Sequence, residues 1–344
     1  MKKDIRNLSV DELKQEMAAI GEPAHRARQV FRWLNRKNAS SFTVMTDLPK
    51  KLIQKLDGMF TVGDLELKKR VRSKDDTEKF LWKLRDGELI ESVLIKGKKR
   101  RTLCVSTQVG CKFKCPFCAS GKRGLIRNLE VSEIIGQVLA AEKASGCSLT
   151  NIVFMGMGEP LDNCDNVMKS IRIINHPDGR GIGARKITVS TCGVVPGILR
   201  LSGIGLQVEL SVSLHAANDT LRDELVPINR RYPLEKLIKA CEEYFAKTGR
   251  VITLEYTLID GKNDSAGDAE ELGRIAKKLK AKVNLIACSP LPESGTGKPA
   301  GKTVRVFQER LRRRGVTATL RRSRGDDIMA ACGQLAMKQN ESER

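Results

Sequence analysis

"CVSTQVGCKFKCPFC", residues 104–118, holds four cysteines in fifteen residues. Three of them, Cys111, Cys115 and Cys118, follow a Cys-x3-Cys-x2-Cys spacing, and Cys104 stands outside it. The stretch runs straight out of an apolar, Val- and Thr-containing segment at 102–107 that reads as a strand. A thiol-rich loop therefore leaves the end of a strand, and the residues downstream of it decide the fold. Short Val- and Ile-rich runs at 151–155, 186–190, 208–214, 251–259 and 282–288 alternate with helical stretches. One such helix is expected near 131–145, where Val131, Ile134, Ile135, Val138 and Leu139 share a face. A further strand at 316–321 and a last helix at 326–338 finish the pattern. Repeated βα units demand a parallel sheet with right-handed crossovers. Six of them predict an α/β fold, a partial or complete barrel, with its site at the C-terminal ends of the strands. The cysteine loop lies where such a site belongs.

Upstream the periodicity changes twice. Val10, Leu13, Met17 and Ile20, then Ala27, Val30, Phe31 and Leu34, recur at helical spacing, and a third short helix follows Pro49. Residues 1–60 thus read as a small helical domain with basic faces (Arg26, Arg28, Arg36, Lys37, Lys50, Lys51), suited to RNA binding. Residues 61–101 alternate with period two and carry the turn "RDGE" (85–88), which predicts a β-hairpin linker region. "KGKKRR" (96–101) reads as the loop into the core domain, 102–344.

Lys and Arg total 62 against 41 Asp and Glu, a formal charge of +21. That excess favours a polyanionic partner, nucleic acid first. Aromatic residues are only 4% of the chain, so phosphate contacts rather than base stacking must carry the affinity. No apolar run is long enough to span a bilayer and no secretory leader is visible, so a cytoplasmic location is expected. In that reducing compartment ten cysteines do not make a disulfide framework. Dispersed ones such as Cys147, Cys164 and Cys241 are expected to be small buried hydrophobes.

The clustered cysteines point to a metal. A structural zinc takes four protein ligands, commonly as two CxxC pairs, and there is no second pair downstream. A [4Fe–4S] cluster on three thiolates leaves one iron open to a substrate or cofactor. The spacing, with Phe117 before Cys118, resembles the signature of radical S-adenosylmethionine (SAM) enzymes. "MGMGEP" (155–160) ends the second barrel strand. Its glycines, Gly158 among them, suit a close backbone approach to a ligand, and Glu159 suits a cationic ammonium. Ser190 ends the third strand, and Ser213, Leu214 and His215 end the fourth. His215 alone is also what a structural histidine looks like.

With "TLCVSTQVGCKFKCPFC", "MGMGEPLDN", "SVSLHAANDTLR" and "RGDDIMAACGQL" together, the chain resembles the RlmN/Cfr family of radical SAM RNA methyltransferases over nearly its whole length. The resemblance implies a radical SAM partial (β/α)6 barrel that carries one [4Fe–4S] cluster on Cys111, Cys115 and Cys118. It implies SAM contacts from Gly158, Glu159, Ser190, Ser213, Leu214, His215 and Ser289. Cys332 would accept a methyl group from one SAM. A second SAM, cleaved reductively, would give the radical that takes a hydrogen from that methyl, and the resulting methylene would add to adenine. Cys104 would then release the product by attacking the Cys332 sulfur, and Glu91 matches the family's proton acceptor. The implied substrates are 23S rRNA and tRNA, methylated at adenosine carbon 2, or at carbon 8 in the Cfr branch. The implied electron donor is a flavodoxin or ferredoxin, and the implied state a monomer.

The family's strand-end "NP" pair is Ser289-Pro290 here, which shortens the polar arm. Seven arginines in "ERLRRRG" (309–315) and "LRRSRGDD" (320–327) flank the final strand and suit RNA phosphates beside Cys332. Two rivals remain open at this point: a zinc-stabilised basic RNA-binding protein without catalysis, and a radical SAM enzyme acting on a small molecule.

Overall fold

A computed structural model of the chain describes residues 2–289, 297–321 and 323–335. Ten strands form one sheet whose spatial order follows the chain: β1 (Glu66–Arg72), β2 (Glu78–Lys83), β3 (Leu89–Lys96), β4 (Arg101–Cys104), β5 (Asn151–Phe154), β6 (Ile187–Thr191), β7 (Glu209–Ser213), β8 (Thr253–Leu258), β9 (Lys282–Ala287) and β10 (Ala318–Arg321). From β4 to β10 every neighbour is parallel. Helices α4 (Val131–Ser145), α5 (Cys164–Asn175), α6 (Val195–Ser202), α7 (Asp219–Leu225), α8 (Leu234–Thr248), α9 (Ala266–Lys278) and α10 (Gly301–Arg313) fill the crossovers. The six expected βα units and the seventh strand are present. No pairing joins β10 to β4 among the described residues, so the barrel is open on that side.

Side-chain alternation explains the layers. Val189, Leu210, Val212, Leu254, Tyr256, Val283 and Leu285 point outward into a helix-covered apolar layer and are buried. The alternate residues, Ser211, Glu255 and Asn284, point into the barrel and are polar; their side chains hydrogen-bond one another there.

Two expectations change. The 61–101 region holds the expected hairpin, β2 and β3 around the turn at 85–88, but it is continuous with the core sheet. β3 pairs antiparallel with β4, Val93 against Cys104 and Lys96 against Arg101, so one sheet runs from the hairpin strands into the barrel. "KGKKRR" makes a tight turn closed by Gly97 N donating to Arg100 O (2.7 Å), and its last arginine begins β4. The expected last helix is also absent from the described part of 326–338. Asp326–Ile328 makes a single 3-10 turn. Gly325, Met329 and Gly333 all have left-handed φ (65°, 53°, 81°), which breaks helical propagation. Residues 336–338 lie outside the described residues.

The N-terminal helices α1 (Val10–Ala19), α2 (Ala24–Asn35) and α3 (Lys50–Met59) form where their periodicity placed them. Ser9 and Glu12 close a capping box on α1. Leu13, Met17, Val30, Phe31, Leu34, Leu52 and Leu56 are buried in a core continuous with that of the barrel. Lys169 of α5 pairs with Glu12 at 2.6 Å, and Arg28 pairs with Asp178, fixing the helices to the barrel flank.

Candidate active site

The three spaced cysteines line one cavity at the C-terminal end of the barrel, about 1020 Å³ including its mouth. The loop from β4 reaches it through a two-stranded ribbon, Gln108–Gly110 against Leu125–Asn128. Gly110 (φ 78°) is required there, because a Cβ would sit 1.9 Å from the Gly124 carbonyl oxygen. A turn closed by Cys118 N donating to Cys115 O (3.0 Å) then brings the last two cysteines round. Phe113 and Phe117 pack with Val226, Ile228, Ile259 and Cys288 into a small apolar cluster against Cys115.

Burial pushes the Cys111 thiol up to about 12 and those of Cys115 and Cys118 upward as well; the neighbouring sulfurs add to each shift. Three thiolates are thus disfavoured here unless a strongly cationic group joins them. Among the described residues no three His, Cys, Asp or Glu donors converge on a single point, the arrangement one tetrahedral zinc ion needs. A cubane bound through three separate irons makes no such demand.

Cys332 lines this cavity too, although the loop carrying it is remote in sequence. Ala119 N donates to Gly333 O at 2.7 Å and Ser120 Oγ to Leu335 O at 2.8 Å. A Cβ at Gly333 would meet Phe117 O at 2.8 Å, so only glycine allows this contact. The other side of the loop is tied to the β1–β2 hairpin: Asp327 accepts from Ser73 Oγ (2.6 Å) and Lys74 N, and Gly325 N donates to Asp75. Asp326 and Gln334 bond within the loop. Most of "RGDDIMAACGQL" is therefore scaffolding that presents one exposed sulfur.

A smaller cavity backs onto the first and holds Cys104, with Cys118 and Cys332 in both linings. Cys104 is the last residue of β4 and is buried; burial raises its thiol to about 12, and the Cys332 sulfur beside it adds to the rise.

The comparisons agree with this geometry. Residues 105–287 match the Radical SAM superfamily, and residues 3–62 match the ribosomal RNA large subunit methyltransferase N-terminal domain. The chain is 45% identical to a probable dual-specificity RNA methyltransferase RlmN of Thermoanaerobacter sp., over 97% of this chain and 98% of the relative. It is 45% identical to the like-named protein of Thermotoga neapolitana, over 99% of each. The chain belongs to the RlmN family. The crystal structure of a radical SAM methyltransferase from Sphaerobacter thermophilus superposes with a TM-score of 0.92 at 47% identity, over 98% of this chain and 100% of that one. As a radical SAM enzyme the RlmN-family chain uses a [4Fe–4S] cluster and SAM, and the thiol set described above fits that cluster.

The other expected site residues divide. Glu159 is buried in the cavity wall; its carboxylate accepts from Leu161 N (3.0 Å) and Cys192 N (2.8 Å), which ties the ends of β5 and β6 together. Ser190 and Ser213 line the cavity with their hydroxyls 3.4 Å apart. His215 (φ 58°) lines it as well, accepting at Nδ1 from Thr257 N and standing edge-on to Phe117. Burial and the Arg222 charge push its pKa down to about 3, so the ring is neutral and presents Nε2–H as a donor. Ser289 borders both cavities, with Oγ 3.5 Å from Ser323 Oγ; Pro290 lies outside the described residues.

Three placements depart from expectation. Leu214 turns its side chain into the apolar layer, leaving only backbone near the site. The glycines of "MGMGEP" chiefly admit the chain itself: a Cβ at Gly156 would meet Val105 O at 2.6 Å, and one at Gly158 the Gln108 Cβ at 2.4 Å. The described arginines of these two runs do not form one cluster. Arg310 and Arg314 face Glu270 of α9, Arg313 faces Glu309, and Arg312 bonds Ala318 O. All four lie at the entry end of β10, opposite Cys332, because α10 must return to the start of the strand it precedes. Arg324 is held on Asp75, Arg321 is in the cavity, and Arg322 lies outside the described residues.

Glu91 lies on β3 with Val93 and Ile95 on its own face, and those two line the Cys104 cavity. It pairs with Lys79 Nζ at 3.0 Å, and the same ammonium donates to Met329 O of the Cys332 loop. Lys79 and Arg222 escaped the sequence reading. Arg222 is fully buried and donates to Leu214 O (3.1 Å), Asn229 Oδ1 (2.8 Å), Cys192 O (2.7 Å) and Ser213 O (3.4 Å), stitching the ends of β6 and β7 and the 3-10 turn Pro227–Arg230 together under the cavity. Its position seven residues past His215 in "SLHAANDTLR" was the available signal. Arg222→Met strands those carbonyls. It is expected to cost about 3 kcal/mol and to weaken SAM binding, read by thermal unfolding and equilibrium dialysis.

Proposed function

We propose that this chain methylates carbon 2 of adenosine in 23S rRNA and in tRNA, through a methyl group carried on Cys332. The observation that carries the reading is the seating of Cys332 on the backbone of residues 117–120, facing the cysteine cavity on one side and Cys104 on the other. The names of its relatives, dual-specificity RNA methyltransferases, support the substrate class, as does the +21 charge.

The chain's residues divide the work. Cys332, the exposed sulfur, takes a methyl from SAM by displacement at carbon. When bound, the cluster and SAM supply the one-electron chemistry that removes a hydrogen atom. Glu159, Ser190, Ser213, His215 and Ser289 provide the polar wall that orients SAM. Glu91 accepts the proton that the adenine carbon must lose. Cys104 attacks the Cys332 sulfur, releases the methylated base and leaves a disulfide, which a thiol reductant reopens. A small redox protein of the flavodoxin or ferredoxin type delivers the electron, and the chain acts as a monomer in the cytoplasm; no helix among the described residues is long and apolar enough to cross a membrane.

The test is to map the methyl group on 23S rRNA and tRNA from cells that have this protein as their sole source of the activity. Carbon 2 is expected on both. Methylation confined to carbon 8 would assign the chain to the Cfr chemistry instead.

A further inference from the structure

Arg321 belongs to the arginines that suit RNA phosphates beside Cys332, and the fold places it inside the barrel mouth. It ends β10, where it pairs in register with Ile286 of β9. Asn284, two residues before Ile286, points into the barrel, because its amide bonds Glu255. Strand alternation therefore sends Ile286 and Arg321 inward as well. The guanidinium reaches across the open side of the barrel to Met155, past the end of β5, with Nη1 3.8 Å from Sδ. Of the described charged residues, it alone lines both the cysteine cavity and the Cys104 cavity. The carboxyl facing it is that of Glu255, which is buried and whose pKa burial pushes up. Glu255 Oε1 accepts from Asn284 and Ser211, while Oε2 has no hydrogen-bond partner among the described residues.

We propose that Arg321 is the cation of the sulfur chemistry, a positioning residue whose guanidinium stabilises negative charge on Cys332 and then on Cys104. The assignment rests on the cysteine route proposed above. Each sulfur acts as a thiolate: burial, with the Cys332 sulfur adding to it, pushes the Cys104 thiol up to about 12, and among the neighbouring charged groups Arg321 is the one that lowers it. In methyl acceptance the Cys332 thiolate forms a bond to the methyl carbon as the sulfonium bond of SAM breaks, and S-adenosylhomocysteine leaves. In release, the Cys104 thiolate bonds to the Cys332 sulfur and the sulfur–carbon bond breaks. Its electron pair stays on the carbon, which takes a proton to complete the methyl group. Both steps start from an anionic sulfur beside the same guanidinium, and arginine keeps its charge at every working pH.

The charged and titratable groups lining the Cys104 cavity are Arg321 from β10, Arg324 and Cys332 from the C-terminal loop and Cys118 from the cluster loop. Single turnovers on an RNA substrate with Cys104→Ala, Arg321→Met and Arg321→Lys test the assignment. Cys104→Ala should accumulate an RNA–protein adduct. Arg321→Met should release its adduct at least about tenfold more slowly than wild type at pH 7.5, and its release rate should rise with pH about one to two units later. Arg321→Lys should recover most of the rate and the profile, which a purely structural role for the side chain would not require. RNA affinity, measured without reductant, should be unchanged in both. Wild-type release from Arg321→Met with an unshifted profile would overturn the assignment. Loss of RNA affinity with normal release would overturn it in favour of a phosphate contact. Absence of any adduct from Cys104→Ala would overturn the cysteine route itself. 5′-Deoxyadenosine formation reports that each variant is folded and loaded; should methionine not be tolerated, Arg321→Gln against Arg321→Lys gives the same comparison.

Discussion

Cys332→Ala should lose methyl transfer by on the order of 10⁴-fold or more while still producing 5′-deoxyadenosine from SAM. The split arises from where the sulfur sits. Cys332 lines the cavity of Cys111, Cys115 and Cys118 but lies outside their spaced triad, so removing it leaves the three thiols in place. Its loop is held by backbone and side-chain bonds at Gly333, Leu335, Asp327 and Gly325, none of which uses the Cys332 side chain. Alanine is therefore expected to fold into the same loop and to delete one atom of chemistry. Mass spectrometry of the wild-type protein as isolated should find a methyl on the peptide carrying Cys332, and the variant should have none. If the alanine protein still methylated RNA at a comparable rate, the methyl would not pass through this residue.

Cys104→Ala should do the opposite: consume one RNA per chain and stop. Among the described cysteines outside the spaced triad and Cys332, Cys104 alone lines the small cavity that Cys332 borders, so no second thiol is poised to replace it. Without an attacking sulfur, the bond between the Cys332 sulfur and the base carbon persists, and the adduct should survive denaturing electrophoresis and disappear on nuclease digestion. Turnover after the first equivalent should fall by about 10³-fold or more. Folding should hardly suffer, because Cys104 to Ala at a strand end removes a single buried sulfur, a cost of about 1–2 kcal/mol. Free methylated RNA at the normal rate would remove Cys104 from the reaction.

Much of the fold was legible because its signals are local. The βα alternation and the strand ends near Ser190 and Ser213 depend on periodicities of two and 3.6 residues, and the strands fell within a few residues of the expected runs. The spaced triad was legible for the same reason: a loop of eight residues cannot carry its three cysteines far apart. The misread parts were those in which a local pattern has two tertiary meanings. An arginine in a basic run faces water or a cavity according to strand parity and the direction of the preceding helix. That is why Arg314 lies at the far end of β10 and Arg321 beside Cys332. Alternating residues at 61–96 make a free hairpin or extend a larger sheet according to whether an edge is available, and β4 offered one to β3. The apolar residues of 328–335 have helical spacing, yet three left-handed backbone positions turn that stretch into a loop.

By itself the amino-acid order determined a parallel barrel with a thiol-lined mouth, because hydrogen-bonding periodicity and short-loop geometry act over a few residues. The meeting of Cys332 with Cys118 and Cys104, the inward turn of Arg321 and the Arg222 stitching beneath the cavity were decided only in three dimensions. Ser120 and Leu335 are 215 residues apart along the chain, and no spacing rule reaches that far. What joins them is the curvature of the sheet, which carries the end of the last strand round toward the first and leaves the C-terminal loop bonded to the backbone just past the cysteines.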